Sequence, residues 1–261
     1  MEHRTEPLLV DIETHVAVVT LNRPHARNAL DTHLRRLIHT TLSDLDSDSD
    51  VEAIILTGAD PAFCAGIDLK ELAASPSSLG DKDWPDVERR SGPIPRMVTP
   101  LIGAINGVAI TGGFELALAC DFLVASERAS FADTHARVGI MPAWGLTVRL
   151  PEAVGLRRAR EMSVTGNFID AARAYEWGLV NRVVPHDQLI ASARGIASDI
   201  AGNDRNGVAE ILRTYHDGSL VNREQAFTLE LERSREWLDN RDSGDLDARR
   251  RAVTERGRSQ I

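Results

Sequence analysis

The stretch LIGAINGVAITGGFELALACD, residues 101–121, decides how this chain is built. It opens on an apolar run from Leu101 to Ile110, interrupted only by Gly103, Asn106 and Gly107. Such a run reads as one strand buried on both faces, with Val108 and Ile110 adding β-branched stiffness. Thr111-Gly112-Gly113 then hands over to Phe114-Glu115-Leu116-Ala117-Leu118-Ala119-Cys120, whose residues suit a buried helix. The first N–H groups of a helix have no internal partner and carry the positive end of its dipole. Glycine lets a ligand approach that backbone because no Cβ stands in the way. Glu115 follows Gly112 by three residues, which puts its side chain on the same face of the first turn. One short element thus offers an oxyanion donor, the Gly112 N–H, with a carboxylate beside it. A Gly-Gly turn with a dipole-complementing Glu is also common in purely structural settings, so this corner alone decides nothing.

A second corner of the same kind occurs upstream. A buried strand is expected over residues 51–57 (VEAIILT), followed by Gly58-Ala59-Asp60-Pro61 and then by FCAGIDLKEL at 63–72. Gly66 is the pivot there and the Ile67 N–H the exposed donor. Two strand-to-helix corners, each presenting one backbone N–H, can clamp a single oxygen between them.

The rest of the chain frames these corners. Two short strands, 8–12 and 16–21, form a hairpin turning at Glu13-Thr14-His15. A polar loop, NRPHARN at 22–28, ends on Asn28, the expected N-cap of a helix with the apolar stripe Leu30, Leu34, Leu37, Ile38, Leu42 and Leu45. The acidic run at 46–50 reads as a solvated turn. Residues 73–96 are rich in Ser, Pro and Gly and read as a mobile surface loop or a substrate lid. A strand is expected at 121–126, helices at 146–165, and a further helix capped by Asp170 and ended before Gly178. After a short strand at 179–184 the β signal fades. Helices are expected at 189–200, 208–215 and 223–237, so a core over residues 1–200 is followed by a helical region over 201–261.

Bulk properties narrow the function classes. A chain of 261 residues with 43% hydrophobic content can bury a sizeable core. A net charge of −9 argues against a nucleic-acid footprint. No apolar run is long enough to span a bilayer, so no membrane role is expected. Cys64 and Cys120 are the only cysteines, each in an apolar setting without metal-ligand spacing. They read as reduced core residues of a cytoplasmic protein that binds no metal. The phosphate-loop, dinucleotide, zincin and nucleophile-elbow motifs are all missing from the sequence.

Taken in order, NRPHARNAL at 22–30, FCAGIDLKEL at 63–72, AINGVAITGGFELALACD at 104–121 and FADTHARVGIMP at 131–142, with the 179–184 segment and its helical tail, resemble the crotonase superfamily, and enoyl-CoA hydratase most of all. The resemblance covers nearly the whole chain. It implies an α/β spiral of repeated ββα units with a C-terminal α-helical trimerisation region, assembled as a homotrimer or dimer of trimers. It also implies an acyl-CoA thioester as substrate, with coenzyme A entering only as part of that thioester and no separate cofactor. The superfamily's oxyanion-hole donors fall on Ile67 and Gly112, the pair that spacing had already singled out.

Two glutamates flank the double bond in the hydratases, and the first matches Glu115. The second position holds His135 here, a group able to act as general acid or base near neutral pH, or else only to hydrogen-bond in the pocket wall. Asp133 stands two residues before it and reads as a structural partner. Trp144, in Ala143-Trp144-Gly145-Leu146, replaces a small glycine-rich run and is expected to pack under the acyl pocket and affect specificity. The resemblance also implies that Arg23, Ala65, Asp68 and Lys70 lie near the nucleotide portion of coenzyme A. Water addition to a 2-trans-enoyl-CoA is the leading reaction. The alternatives are isomerisation, decarboxylation or hydrolysis of another thioester through the same oxyanion hole, or acyl-CoA binding without catalysis.

Overall fold

A computed structural model describes residues 6–75, 92–240 and 246–260. Residues 76–91, most of the expected loop or lid, therefore lie outside the described residues. The chain divides into two units, 1–209 and 210–261.

The first unit begins with the expected hairpin, β1 (Leu8–Glu13) and β2 (Val16–Leu21), paired antiparallel from Leu8–Leu21 to Glu13–Val16. Thr14 and His15 both take positive φ, 49° and 65°. That is the backbone a two-residue turn needs to match the twist of its strands. Helix α1 (Thr32–Ser47) buries Leu34, Ile38, Leu42 and Leu45, as the stripe predicts. Its N-cap is Asp31, not Asn28: the Asp31 carboxylate accepts from the Leu34 N–H at 2.7 Å. Asn28 has a different task. Fully buried, its side-chain amide donates to the carbonyls of Ala59, Ala62 and Phe63 and ties the loop to the first corner.

Three ββα units follow. They are β3 (Ala53–Gly58), β4 (Ala62–Cys64) and α2 (Leu69–Ala74); β5 (Leu101–Ile105), β6 (Val108–Ile110) and α3 (Gly112–Leu118); and β7 (Phe122–Ser126), β8 (Ser130–Ala132) and α4 (His135–Val138). The first strand of each unit joins a six-stranded sheet in the order β1-β2-β3-β5-β7-β10. The second strand joins a four-stranded sheet, β4-β6-β8-β9. The apolar run 101–110 is thus two strands rather than one. The break falls at Asn106, whose buried amide accepts from the Gly58 N–H and donates to Asp60 and Ala62. A polar side chain that serves the preceding turn ends one strand and lets the chain cross to the second sheet.

Helices α5 (Leu146–Val154), α6 (Leu156–Thr165) and α7 (Ala171–Glu176), with β9 (Ile169–Asp170) and β10 (Arg182–Val184), complete the wrap before α8 (Leu189–Ala201). The helices expected over 146–165 are two, separated at Gly155, and Asp170 caps α7 through the Arg173 N–H at 2.8 Å. The inner strands of the six-stranded sheet, β2, β3, β5 and β7, are buried on both faces, and their residues alternate accordingly. Ile54 and Leu56 of β3 and Leu101 and Ile105 of β5 face the main core. Ala53, Ile55, Ile102 and Ala104 pack instead with Leu189, Ala193 and Ala197 of α8.

The second unit takes in the end of α9 (Arg205–Ser219), then α10 (Arg223–Asp239) and α11 (Leu246–Gln260). The Arg233 guanidinium reaches from α10 to Asp217 at 2.6 Å and Glu210 at 3.3 Å, which fixes the α9–α10 pairing. Ile211, Tyr215, Phe227, Leu231 and Leu238 remain exposed.

Candidate active site

The two corners meet. Gly66 takes φ 86°, a conformation L side chains rarely adopt, and a Cβ there would stand 2.9 Å from the Ile110 carbonyl and 3.2 Å from the Gly112 nitrogen. Gly113 sits so close to the other corner that a Cβ would overlap the Cys64 carbonyl oxygen. Since that oxygen belongs to rigid backbone, Gly113→Ala is expected to destabilise the fold by about 3 kcal/mol, as overpacked cores do. A urea unfolding midpoint unchanged in that variant would contradict the reading.

Main-chain bonding explains why the donors point where they do. Leu30 accepts from the Asp68 N–H at 3.1 Å and donates to the Gly66 carbonyl at 2.8 Å, bracketing Ile67. Backbone groups alternate sides along an extended chain, so the Ile67 N–H turns the other way. On the second corner Thr111 adopts φ 54° and ψ −120°, a strained conformation for a β-branched residue that costs on the order of 1–3 kcal/mol. It is held there by its N–H on the Ala132 carbonyl, by its hydroxyl 2.5 Å from that of Thr134, and by the Phe114 and Glu115 N–H groups on its carbonyl. The strain delivers Gly112 as the first residue of α3 with its N–H unspent. Neither the Ile67 nor the Gly112 N–H donates to any acceptor among the described residues. Thr111 carried no sequence signal, since a Thr before a glycine pair is ordinary; only its backbone angles mark it.

Glu115 and His135 come together beside these donors, both buried, at 3% and 5% exposure. Glu115 Oε2 lies 3.5 Å from His135 Nε2, while Oε1 accepts from the Trp144 main-chain N–H at 2.7 Å. On the far side of the imidazole, Nδ1 lies 2.6 Å from Asp133 Oδ1, which also accepts the His135 main-chain N–H at 3.2 Å. Burial works against a charged imidazole, but the flanking Asp133 and Glu115 carboxylates outweigh it and push the His135 pKa up to about 9. Burial likewise opposes a charged Asp133, yet bonds from His135 and the Ser163 hydroxyl hold its carboxyl below the ordinary range.

A group whose folded pKa is raised contributes stability that is full below its unfolded value, near 6.5, and is lost as pH climbs through about 9. The difference amounts to about 3 kcal/mol. Urea midpoints are therefore expected to fall between pH 6.5 and 9, and this fall to shrink in His135→Gln. Equal pH dependence in the two proteins would contradict the paired imidazolium.

Trp144 contributes in two ways. Its main chain holds Glu115 and is itself held by Arg149, whose guanidinium donates to the Trp144 carbonyl at 2.9 Å. Its indole lies against the start of α3, where a Cβ on Gly112 would stand 3.0 Å from ring carbon Cζ3. The side chain was visible in the sequence as a bulky departure. The N–H contact was not, because it joins residues 29 positions apart through backbone.

Of the four residues expected near the nucleotide, Arg23 and Asp68 are brought together at 3.0 Å, with Asp31 at 3.2 Å from the same guanidinium nitrogen. Asp68 also caps α2 through the Lys70 and Glu71 N–H groups. Burial raises its pKa, but Arg23 and these helix donors hold the carboxyl below its usual value. Lys70 is exposed at the start of α2, and the Ala65 N–H is used by the Arg27 carbonyl at 3.0 Å. Cys64 and Cys120 are buried and unpaired, and burial pushes the Cys64 thiol up to about 12. Among the described residues no group of three or more His, Cys, Asp or Glu is arranged to hold a metal, and no helix is long and apolar enough to cross a membrane.

A coil of ββα units with two facing backbone N–H donors at successive corners, a buried Glu–His pair beside them and a helical tail defines a crotonase-type protein. Comparison with known proteins agrees. The enoyl-CoA hydratase/isomerase family profile matches residues 11–246, and the chain belongs to that family. It is 42% identical over 222 residues to the probable enoyl-CoA hydratase 1, peroxisomal, of Arabidopsis thaliana, covering 84% of this chain and 82% of the relative. Among solved structures, an enoyl-CoA hydratase from Mycobacterium tuberculosis H37Rv is 49% identical with a TM-score of 0.75, over 88% of this chain and 96% of the other. An enoyl-CoA hydratase subunit from Geobacillus kaustophilus superposes with a TM-score of 0.85 at 30% identity, over 96% of both chains, so the match extends into the C-terminal helices.

Proposed function

We propose that this protein is a hydro-lyase that adds water across the double bond of a 2-trans-enoyl-CoA, with Glu115 as base and His135 as proton donor. The observation that carries the reading is the 3.5 Å approach of Glu115 Oε2 to His135 Nε2 beside two unspent backbone donors. With Oε1 committed to Trp144, Oε2 takes the proton from water as its oxygen bonds to Cβ. The π electrons move onto the thioester oxygen, where the Ile67 and Gly112 N–H groups receive the developing charge. The enolate then collapses as Cα takes the proton from His135 Nε2. Glu115 is left protonated and His135 neutral. One proton passed across the gap between them restores both, and the net change is one water added.

The names of the relatives support this reading, each being called an enoyl-CoA hydratase. Arg23, Ala65, Asp68 and Lys70 remain our assignment for the nucleotide end of coenzyme A, with the Arg23–Asp68 pair fixing the loop that would carry it. Trp144 remains our assignment for the acyl wall. The exposed apolar residues of α9 and α10 support assembly as a homotrimer or dimer of trimers through a tail of the kind expected over 201–261. Two buried, unpaired cysteines fit a reducing compartment such as the cytoplasm.

The test is loss of conjugated-thioester absorbance with crotonyl-CoA, run on wild type and His135→Ala. Hydration by wild type, and a fall of about 10²–10⁴-fold in the variant, is the expected result. A fully active His135→Ala would remove the proton-donor role. A wild type that binds coenzyme A esters without hydrating them would move the reading to another thioester reaction or to binding alone.

A further inference from the structure

We propose that Asp133 is the positioning residue of this site, gripping the imidazole Nδ1–H and the main-chain N–H of His135 with one carboxylate oxygen so that Nε2–H is aimed at Glu115. The inference rests on the acid–base reading above, which it deepens, and it adds a residue that neither donates nor accepts the reacting protons. Asp133 is 2% exposed, so nothing about its placement serves solubility or surface charge. A buried carboxylate on an imidazole nitrogen fixes the tautomer and the ring orientation at once. Here the main-chain bond at 3.2 Å adds a second constraint, since the same oxygen that holds the ring also holds the start of α4. The Ser163 hydroxyl, from α6, secures the carboxylate from behind. The result is a row running Ser163, Asp133, His135, Glu115 and the Trp144 N–H, drawn from α6, the β8–α4 connection, α4, α3 and the segment before α5.

The other charged groups nearby leave Asp133 in command of the ring. Arg149 of α5 faces Glu115 rather than the imidazole and is engaged with the Trp144 carbonyl. Arg137, on the same short helix as His135, turns away to the Thr165 carbonyl and the Asn167 side chain. Among the described residues, His135 therefore has a carboxylate on each side and no cation against it. With the imidazole pKa at about 9, it enters the reaction already protonated over the neutral range. Removing the Asp133 charge keeps the shape of the row and takes away the largest upward influence on the ring.

The experiment compares wild type, Asp133→Asn and Ser163→Ala by NMR of histidine labelled at ring carbon Cε1, with His135→Gln used to assign the His135 signal. The pH profile of crotonyl-CoA hydration is recorded on the same proteins. The His135 signal is expected to titrate near 9 in wild type and to move toward 6.5 in Asp133→Asn. The alkaline limb of kcat should move with it, with at least about a tenfold loss at pH 8 that recovers near pH 6, while KM changes less than about twofold. Ser163→Ala should shift the same signal in the same direction by less, and it decides the matter if Asp133→Asn does not fold. A His135 titration unmoved in both variants, or lost activity with an unmoved alkaline limb, would overturn the proposal. Because the NMR titration needs no turnover, it stands even if the hydration reading fails.

Discussion

Glu115→Gln is expected to lower hydration of crotonyl-CoA by about 10²–10⁴-fold in kcat, the range for removing a positioned general base, while the affinity for a non-reactive acyl-CoA stays within about threefold. Glutamine has the shape of glutamate and can still accept the Trp144 N–H that Oε1 takes at 2.7 Å. What it lacks is a base for the water proton and a negative charge opposite His135 Nε2 at 3.5 Å. If the amide oxygen faces Trp144, the NH2 group confronts an imidazolium N–H, two donors with no acceptor between them. The substitution therefore weakens the proton donor as well as the base. Stopped-flow hydration rates and calorimetric titration separate the two quantities. A variant retaining more than a tenth of wild-type kcat would exclude Glu115 as the base.

The second large effect is expected from the backbone. Gly112→Pro removes one of the two N–H donors and puts a ring carbon in its place, and loss of one oxyanion donor costs about 10²–10³ in kcat. Proline suits the first position of a helix, and Gly112 is the first residue of α3. The added Cβ meets the Trp144 ring, 3.0 Å away, and the proline ring further restricts Thr111 before it, already at φ 54°. Thermal unfolding within a few degrees of wild type, together with the fall in kcat, would assign the effect to the oxyanion corner rather than to the fold. Undiminished turnover in a folded Gly112→Pro protein would place the oxyanion elsewhere.

Much of this arrangement was legible in residue order, and the part that was not has identifiable causes. Ile67, Gly112 and Glu115 could be placed together because a glycine at a strand-to-helix corner, and the i to i+3 spacing after it, are local signals. The stripe of α1 and the Asp170 cap are local too. Residue patterns do not mark the four-stranded sheet, whose second strands only the family resemblance implies, because those strands have only two or three residues each and fall inside longer apolar or glycine-containing runs. The break at Asn106 could not be foreseen, since its reason is a set of bonds to residues 58–62, more than 40 positions upstream. Asn28 misled for the same reason: a good capping residue by type is used across the fold, and Asp31, three positions on, does the capping. Asp133 is legible as a structural partner of His135, but the atom it holds, Nδ1 at 2.6 Å, is not, because a spacing of two residues says nothing of direction until α4 begins at His135.

The Ile67 and Gly112 N–H groups, proposed above as the oxyanion donors, follow β4 and β6, which are adjacent parallel strands of one sheet. Neighbouring strands lie about 4.8 Å apart wherever they pair, so the gauge of the clamp is inherited from the pitch of the coil. No side chain sets it. A lineage carrying this coil is free to exchange the groups around the clamp, a glutamate for a histidine or a small residue for a tryptophan, while the spacing of the two N–H groups keeps its calibre. The reaction can drift on a tool whose jaw width does not.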